Sequence, residues 1–180
     1  MVDQTVGPRV LAEQKISLRV LTDYQGSINE IPLDAIMSGK EASCRAVAAD
    51  TRFSPTDSDT LSDAALCEPA NAQSLGASNY EGRLGLYRYA DEEDPGQHSE
   101  QYDDVFQALK RKGTSATIVV RDLGKDWDAE WEAGDEIEVY QVVTDHPQKP
   151  QDRTGYQKVI IPMPVRDANL HAKVVAGSGE

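Results

Sequence analysis

Apolar residues fall on every second position in run after run of this sequence, and that period fixes the fold class. In residues 15–22, KISLRVLT, Ile16, Leu18 and Val20 take one face while Lys15, Ser17 and Arg19 take the other. This is the pattern of a half-buried strand, because successive side chains of extended backbone point to opposite sides. SCRAVAA from Ser43 and GRLGLYRYA from Gly82 read as further strands, the latter carrying Leu84, Leu86, Tyr87 and Tyr89. SATIVVRD from Ser115 puts Ala116, Ile118 and Val120 on one face, and DEIEVYQVVT from Asp135 alternates Glu136 and Glu138 with Ile137 and Val139. YQKVIIPMPV from Tyr156 carries Pro162 and Pro164 opposite its apolar side, which marks a sheet edge because proline cannot donate to a ladder. NLHAKVV from Asn169 completes about seven strands.

One segment breaks the period. Tyr102, Val105, Phe106 and Leu109 fall at helical spacing. Ser99 precedes them as an N-cap, acids occupy the first turns, and Lys110, Arg111 and Lys112 the last, each sign matched to the helix dipole. Gly113 follows as the stop. The expectation is a mainly β (α+β) fold, a β-sandwich or barrel-like core of about seven strands flanked by one α-helix. The stretches 22–41 and 50–79 are polar and read as long loops, the first with a single helical turn at residues 33–37 and the second with room for short extended pieces. The 180 residues suit one domain with a proper core, with 1–9 and 176–180 as flexible termini.

Charge narrows the function. With 31 acidic against 18 basic residues, net −13, the chain has no basic stripe to neutralise phosphates and is not read as a nucleic-acid binder. No apolar run approaches the roughly 20 residues of a membrane helix, and the N-terminus lacks an apolar signal core. Synthesis in the cytosol follows, with Cys44 and Cys67 expected to be reduced and part-buried, a disulfide between them being the alternative.

Candidate chemical sites fail on spacing. PTDSDTLSDAALC, from Pro55, holds Asp57, Asp59 and Asp63. Counted as a calcium loop from Asp57, Glu68 stands where the last ligand should, but Leu61 replaces a ligand and Ser62 the tight-turn glycine. Turn-forming aspartates are the better reading. MSGKEA has Glu41 where a phosphate loop needs Ser or Thr. His98, His146 and His171 stand apart without a second ligand at helical spacing. Asp91, Glu92, Glu93 and Asp94 read as an exposed turn. Trp127 and Trp131, at i and i+4, would share a face of a helical turn, as a lid on the core or as a subunit contact. The residues imply no catalytic constellation, no metal and no cofactor.

The order of motifs is informative as a whole. FSPTDSDTLSDAALCEPANAQSLGASNYEGRLGLYRYADEED, then VFQALKRKGTSATIVVRDLG, then WDAEWEAGDEIEVYQVVTDHPQ, together covering roughly residues 44–165, resembles the major tail tube protein of long, flexible-tailed bacteriophages of actinobacterial hosts. That resemblance implies a β-sandwich or barrel-like core, assembly into stacked hexameric rings, and a hollow tube that encloses the tape measure protein and conducts DNA. It implies as partners further copies of the chain, the tape measure protein, and the tail terminator and tail tip proteins, with DNA passing unbound and no membrane. The implied location is the virion tail. On this reading Asp57, Asp59 and Asp63 lie in a loop bridging subunits or rings, with Ile31, Leu33, Trp127 and Trp131 as further candidate contacts. Asp91, Glu92, Glu93, Asp94, Glu136 and Glu138 are candidate lumen acids. The alternative is a small monomeric β-sandwich binding module, a virion decoration or carbohydrate-binding domain, with Tyr87, Tyr89 and the two tryptophans as its aromatic platform.

Overall fold

The structure, a computed structural model, describes residues 13–61, 74–151 and 154–177. In chain order the elements are β1 (Ser17–Leu21), β2 (Glu30–Pro32), α1 (Leu33–Ser38), β3 (Lys40–Glu41), a 3-10 turn (Ala48–Asp50), β4 (Arg52–Thr56), β5 (Thr60–Leu61), β6 (Ser74–Leu75), β7 (Asn79–Tyr87), α2 (Asp104–Leu109), β8 (Ser115–Arg121), β9 (Glu136–Val143), β10 (Lys158–Pro162) and β11 (Val165–Val175). A six-stranded sheet runs β2-β11-β9-β8-β1-β3, a three-stranded sheet runs β10-β7-β4, and β5 pairs β6. All pairings are antiparallel except β11 with β2. The fold is mainly β, as the alternation predicts.

The central strands are buried on both faces, not one. Leu18, Val20, Ala116, Ile118, Val120, Tyr140 and Val142 pack against Leu84 and Leu86 of β7, Val159 and Ile161 of β10, and Val105 and Leu109 of α2. The opposite face, with Leu21, Ile31, Val119, Ile137, Val139, Ala172 and Val174, is covered by Ile36 and Trp131. The half-buried reading of β1 therefore fails: Ser17 and Leu21 are as buried as Leu18, and Ile16 is exposed. Alternation reports a polar face only when that face meets water. Here α1 and the 122–135 connection lie over it, while β2 extends the same sheet at its edge.

Other expectations are corrected. SCRAVAA is not a strand: Ser43–Arg45 form a turn and only Ala46 pairs, with Leu86. Nor is 22–41 a loop. Its Ile31 and Ile36 are fully buried, and α1 is far too short to stand alone without that burial. The stretch 50–79 contains β4, β5 and β6. The helix is shorter than its periodic stripe, since Tyr102 is exposed and α2 begins only at Asp104. Ser99 still accepts from the Tyr102 N–H, capping the preceding turn. Gly113, at φ +86°, is needed four residues past the helix, where its N–H reaches the Thr144 carbonyl.

β7 crosses the larger sheet rather than following its strands. Leu86 pairs with Ala46, whose turn bonds to β1 through the Ala42 N–H and the Leu18 carbonyl. At the other end the Gly82 carbonyl accepts from Met163, just before β11. A Cβ at Gly82 would stand 2.3 Å from the Met163 carbonyl oxygen, so the crossing requires glycine.

Candidate assembly surfaces

Past that crossing, β4 and β7 leave the body as a two-stranded ribbon. Arg52 faces Arg83 and Thr56 faces Asn79. Four residues on, Thr60 faces Leu75, so pairing resumes in the same register. Ten residues in each strand span about 33 Å at about 3.3 Å each. The root is anchored: the Phe53 and Tyr140 ring centroids lie 5.6 Å apart, and Tyr80 packs on the same cluster. The outer part is not. Leu61 is 61% and Leu75 81% exposed. Directly opposed residues share a face and neighbours alternate, so Leu75 sits with Thr60 while Leu61 takes the other side of the ribbon.

The aspartates of this ribbon do backbone work. Asn79 donates from its side-chain amide to the Asp59 carboxylate at 2.9 Å and to the Asp57 carbonyl at 3.1 Å. The Asp59 N–H reaches Ala77 and its carbonyl accepts from Gly76. Asp63 and Cys67 lie outside the described residues. Among the described residues no group of three or more His, Cys, Asp or Glu could hold a metal ion.

Among the described residues, β4 and β11 both present open sheet edge. β4 ends the three-stranded sheet, and among the described residues no backbone hydrogen bond reaches its outer side. β11 is paired with β9 along its length, but β2 covers only Lys173–Val175. Irregularities between Val165 and Asp167 and between Asn169 and Ala172 break the free part, the usual protection of an exposed edge.

The structure separates the other candidates. Ile31 is fully buried in the second cluster, so in this conformation it offers no surface to a neighbour, while Leu33 is only partly buried at the rim of that cluster. Trp127 and Trp131 share no helical turn. Trp131 is buried, its ring 4.4 Å from the Arg121 guanidinium, and Trp127 is half-buried with its N–H on the Gln14 carbonyl. Cys44 is exposed, not part-buried. In the acidic turn, Asp91 accepts from the N–H groups of Glu93 and Asp94, which hold its carboxyl below the usual range, and Asp94 accepts from Gly96. Glu92 and Glu93 are exposed, as is Glu136. Glu138 is half-buried and accepts the Tyr140 hydroxyl at 2.6 Å, and burial first, that hydrogen bond second, drive the phenol pKa far up. The structure does not gather these acids into one cluster: the 91–94 turn lies beyond the N-terminal end of α2, and Glu136 and Glu138 lie at the start of β9.

Two buried ion pairs escape sequence reading because nothing in a strand or helix pattern marks them. Arg121, 1% exposed, donates to the carbonyls of Glu130, Asp126 and Ala129 and to the Asp135 carboxylate at 2.8–3.0 Å. Asp103, also 1% exposed, takes a two-pronged bond from Arg88 at 2.8 and 2.9 Å and a third from Gln107. The first organises the whole 122–135 connection. The second fixes the approach of β7 to α2.

A family profile described as phage tail tube protein matches residues 4–178. Among solved structures, a chain of the cryo-EM structure of the anti-feeding prophage baseplate, 6-fold symmetrised, is similar at 14% identity, over 91% of this chain and 95% of that one, with a TM-score of 0.49. No curated protein matches the chain.

Proposed function

Since this chain belongs to the phage tail tube protein family, a structural component of the virion tail, we propose that it is the subunit that builds the tube wall. Copies assemble into six-membered rings, and the rings stack into a hollow tube. The tube encloses the tape measure protein and conducts DNA during ejection. Tail terminator and tail tip proteins close its ends, and the subunits are made in the host cytoplasm. The match over residues 4–178 carries this reading. The ribbon and the open edges of β4 and β11 support it, because unpaired edges and exposed leucines are docking surfaces for a neighbour. Asp57 and Asp59 then act as the hinge of a bridging arm, not as metal ligands. The acids at 91–94 and at Glu136 and Glu138 are the candidate lining of the lumen.

Negative-stain microscopy of the purified protein at rising concentration and salt tests this directly. Rings or tubes are expected. A species that stays monomeric under every condition overturns the reading and leaves a monomeric binding module in its place.

A further inference from the structure

The two ends of the central strands carry opposite charge. β8 starts next to the C-terminal end of α2, where Lys110, Arg111 and Lys112 are all exposed. The Arg111 carbonyl accepts from the Thr144 hydroxyl, which fastens this cluster to the end of β9. Seven residues later, about 23 Å away at about 3.3 Å per residue, β8 ends in the 122–135 connection. That connection and Glu136 hold seven acids against Lys125.

Several of these charges are already neutralised. Asp126 pairs with Lys15, and Glu132 and Asp135 pair with Lys125. Glu136 faces Lys173 across the β9–β11 pair. Asp122, Asp128 and Glu130 remain exposed, with no ion-pair partner among the described residues. At the basic end, Lys112 pairs with Asp145 at 3.0 Å, Asp23 and His146 lie nearby in sequence and pairing, and Lys110 and Arg111 have no acidic partner among the described residues. Neither end is a mobile tail. Arg121 holds three carbonyls of the acidic connection from beneath, and Trp131 closes over it. Charges presented on a fixed backbone lose little freedom on binding.

We propose that these two ends are a complementary pair: the Asp122, Asp128 and Glu130 surface of one copy docks on the Lys110, Arg111 and Lys112 surface of the next, head to tail. The inference rests on the tube reading and deepens it. A contact between two different patches of the same chain repeats without closing on itself in pairs, which is what a polymer requires. In a chain of net −13, an exposed run of three cations at the opposite end of the same strands from the unpaired acids gives each copy an attractive face for the next. Opposed charges at a contact also reject the wrong orientation, since like ends meeting cost several kcal/mol.

The test uses two variants of the full chain. One carries Lys110→Glu, Arg111→Glu and Lys112→Glu, so both its ends are acidic. The other carries Asp122→Lys, Asp128→Lys and Glu130→Lys, so both its ends are basic. Circular dichroism and melting check that each folds, and the single changes Arg111→Glu and Glu130→Lys serve if a triple variant does not. Sedimentation and negative stain then read the critical concentration for assembly. Each variant alone should need about tenfold more protein or fail to assemble. An equimolar mixture should assemble near the wild-type concentration, because acidic ends then meet basic ends. If each variant alone polymerises like the wild type, or if the mixture does no better than either alone, the docking pair is overturned. A wild-type chain that never polymerises overturns the tube reading instead.

Discussion

Arg121 is the residue on which most of the structure turns. Its guanidinium satisfies three carbonyls and one carboxylate at once, out of water, and its planar fork suits that job in a way a lysine ammonium cannot match. Arg121→Met would leave the three carbonyls buried without their donor and Asp135 without its buried guanidinium partner, so a loss of about 3–5 kcal/mol is expected in denaturant unfolding. A loss below about 1 kcal/mol would mean that the connection holds itself. Two carboxylates give the acid limb of stability. For Asp103, burial pushes the pKa up, but the bonds from Arg88, Gln107 and the Tyr89 N–H outweigh it and the net shift is downward. Asp135 is likewise lowered against its burial, by Lys125, the Glu132 N–H and Arg121. Each binds its proton more weakly folded than unfolded. Their contribution is therefore complete above the unfolded aspartate value of about 3.9 and is lost as pH falls through the lower folded values. Asp103→Asn and Asp135→Asn should each destabilise at neutral pH and flatten the fall in stability below about pH 4. An acid limb of unchanged steepness in both variants removes these two groups from the account.

Among the elements, the ribbon and the 22–41 stretch contrast. Both are polar and long, yet one is fastened to the core and the other projects from it. Ile31 and Ile36 pin 22–41 under the large sheet, so its amides should exchange slowly in the free subunit and little slower in the assembly. Residues 57–61 and 75–79 are nearly all exposed, with one partner strand each. Their amides should exchange quickly in the free subunit and become protected on assembly, since low local burial means cheap local opening. Hydrogen exchange on both forms separates the cases. Equal protection of the ribbon before and after assembly would remove it from the contact surface.

For the molecule as a whole, −13 per subunit opposes crowding. Salt screens exposed charges over about 10 Å at 0.1 M, while pairs brought into contact are screened less. Moderate salt should thus promote assembly by relieving long-range repulsion before it weakens any close pairing. Replacing the acids of the 91–94 turn, or Glu136 and Glu138, with amides probes which stretch faces the lumen. The stretch that lines it should, when neutralised, lower the salt needed for assembly and make the tube retain duplex DNA, because an acidic wall repels phosphates. If neither set changes either quantity, the acidic balance serves solubility alone.

The sequence by itself determined the class of fold and the family: period-two alternation, one helical stripe and the order of the motifs suffice for both, because each is a local property of the chain. It located β8 and β9 closely, β7 three residues late, and α2 to within a turn. It misjudged what lies over the sheet. Whether the second face of β1 and β8 meets water or Ile36 and Trp131 depends on which distant segment folds back, and alternation cannot record that. The same holds for the ribbon. Residues 50–79 are polar because they project, and only the Arg52–Arg83 to Leu61–Ser74 register shows that they are paired strands rather than loop. Arg121 looks like any strand-end arginine in the sequence. Its role exists only because the chain returns fourteen residues later, at Asp135, to enclose it.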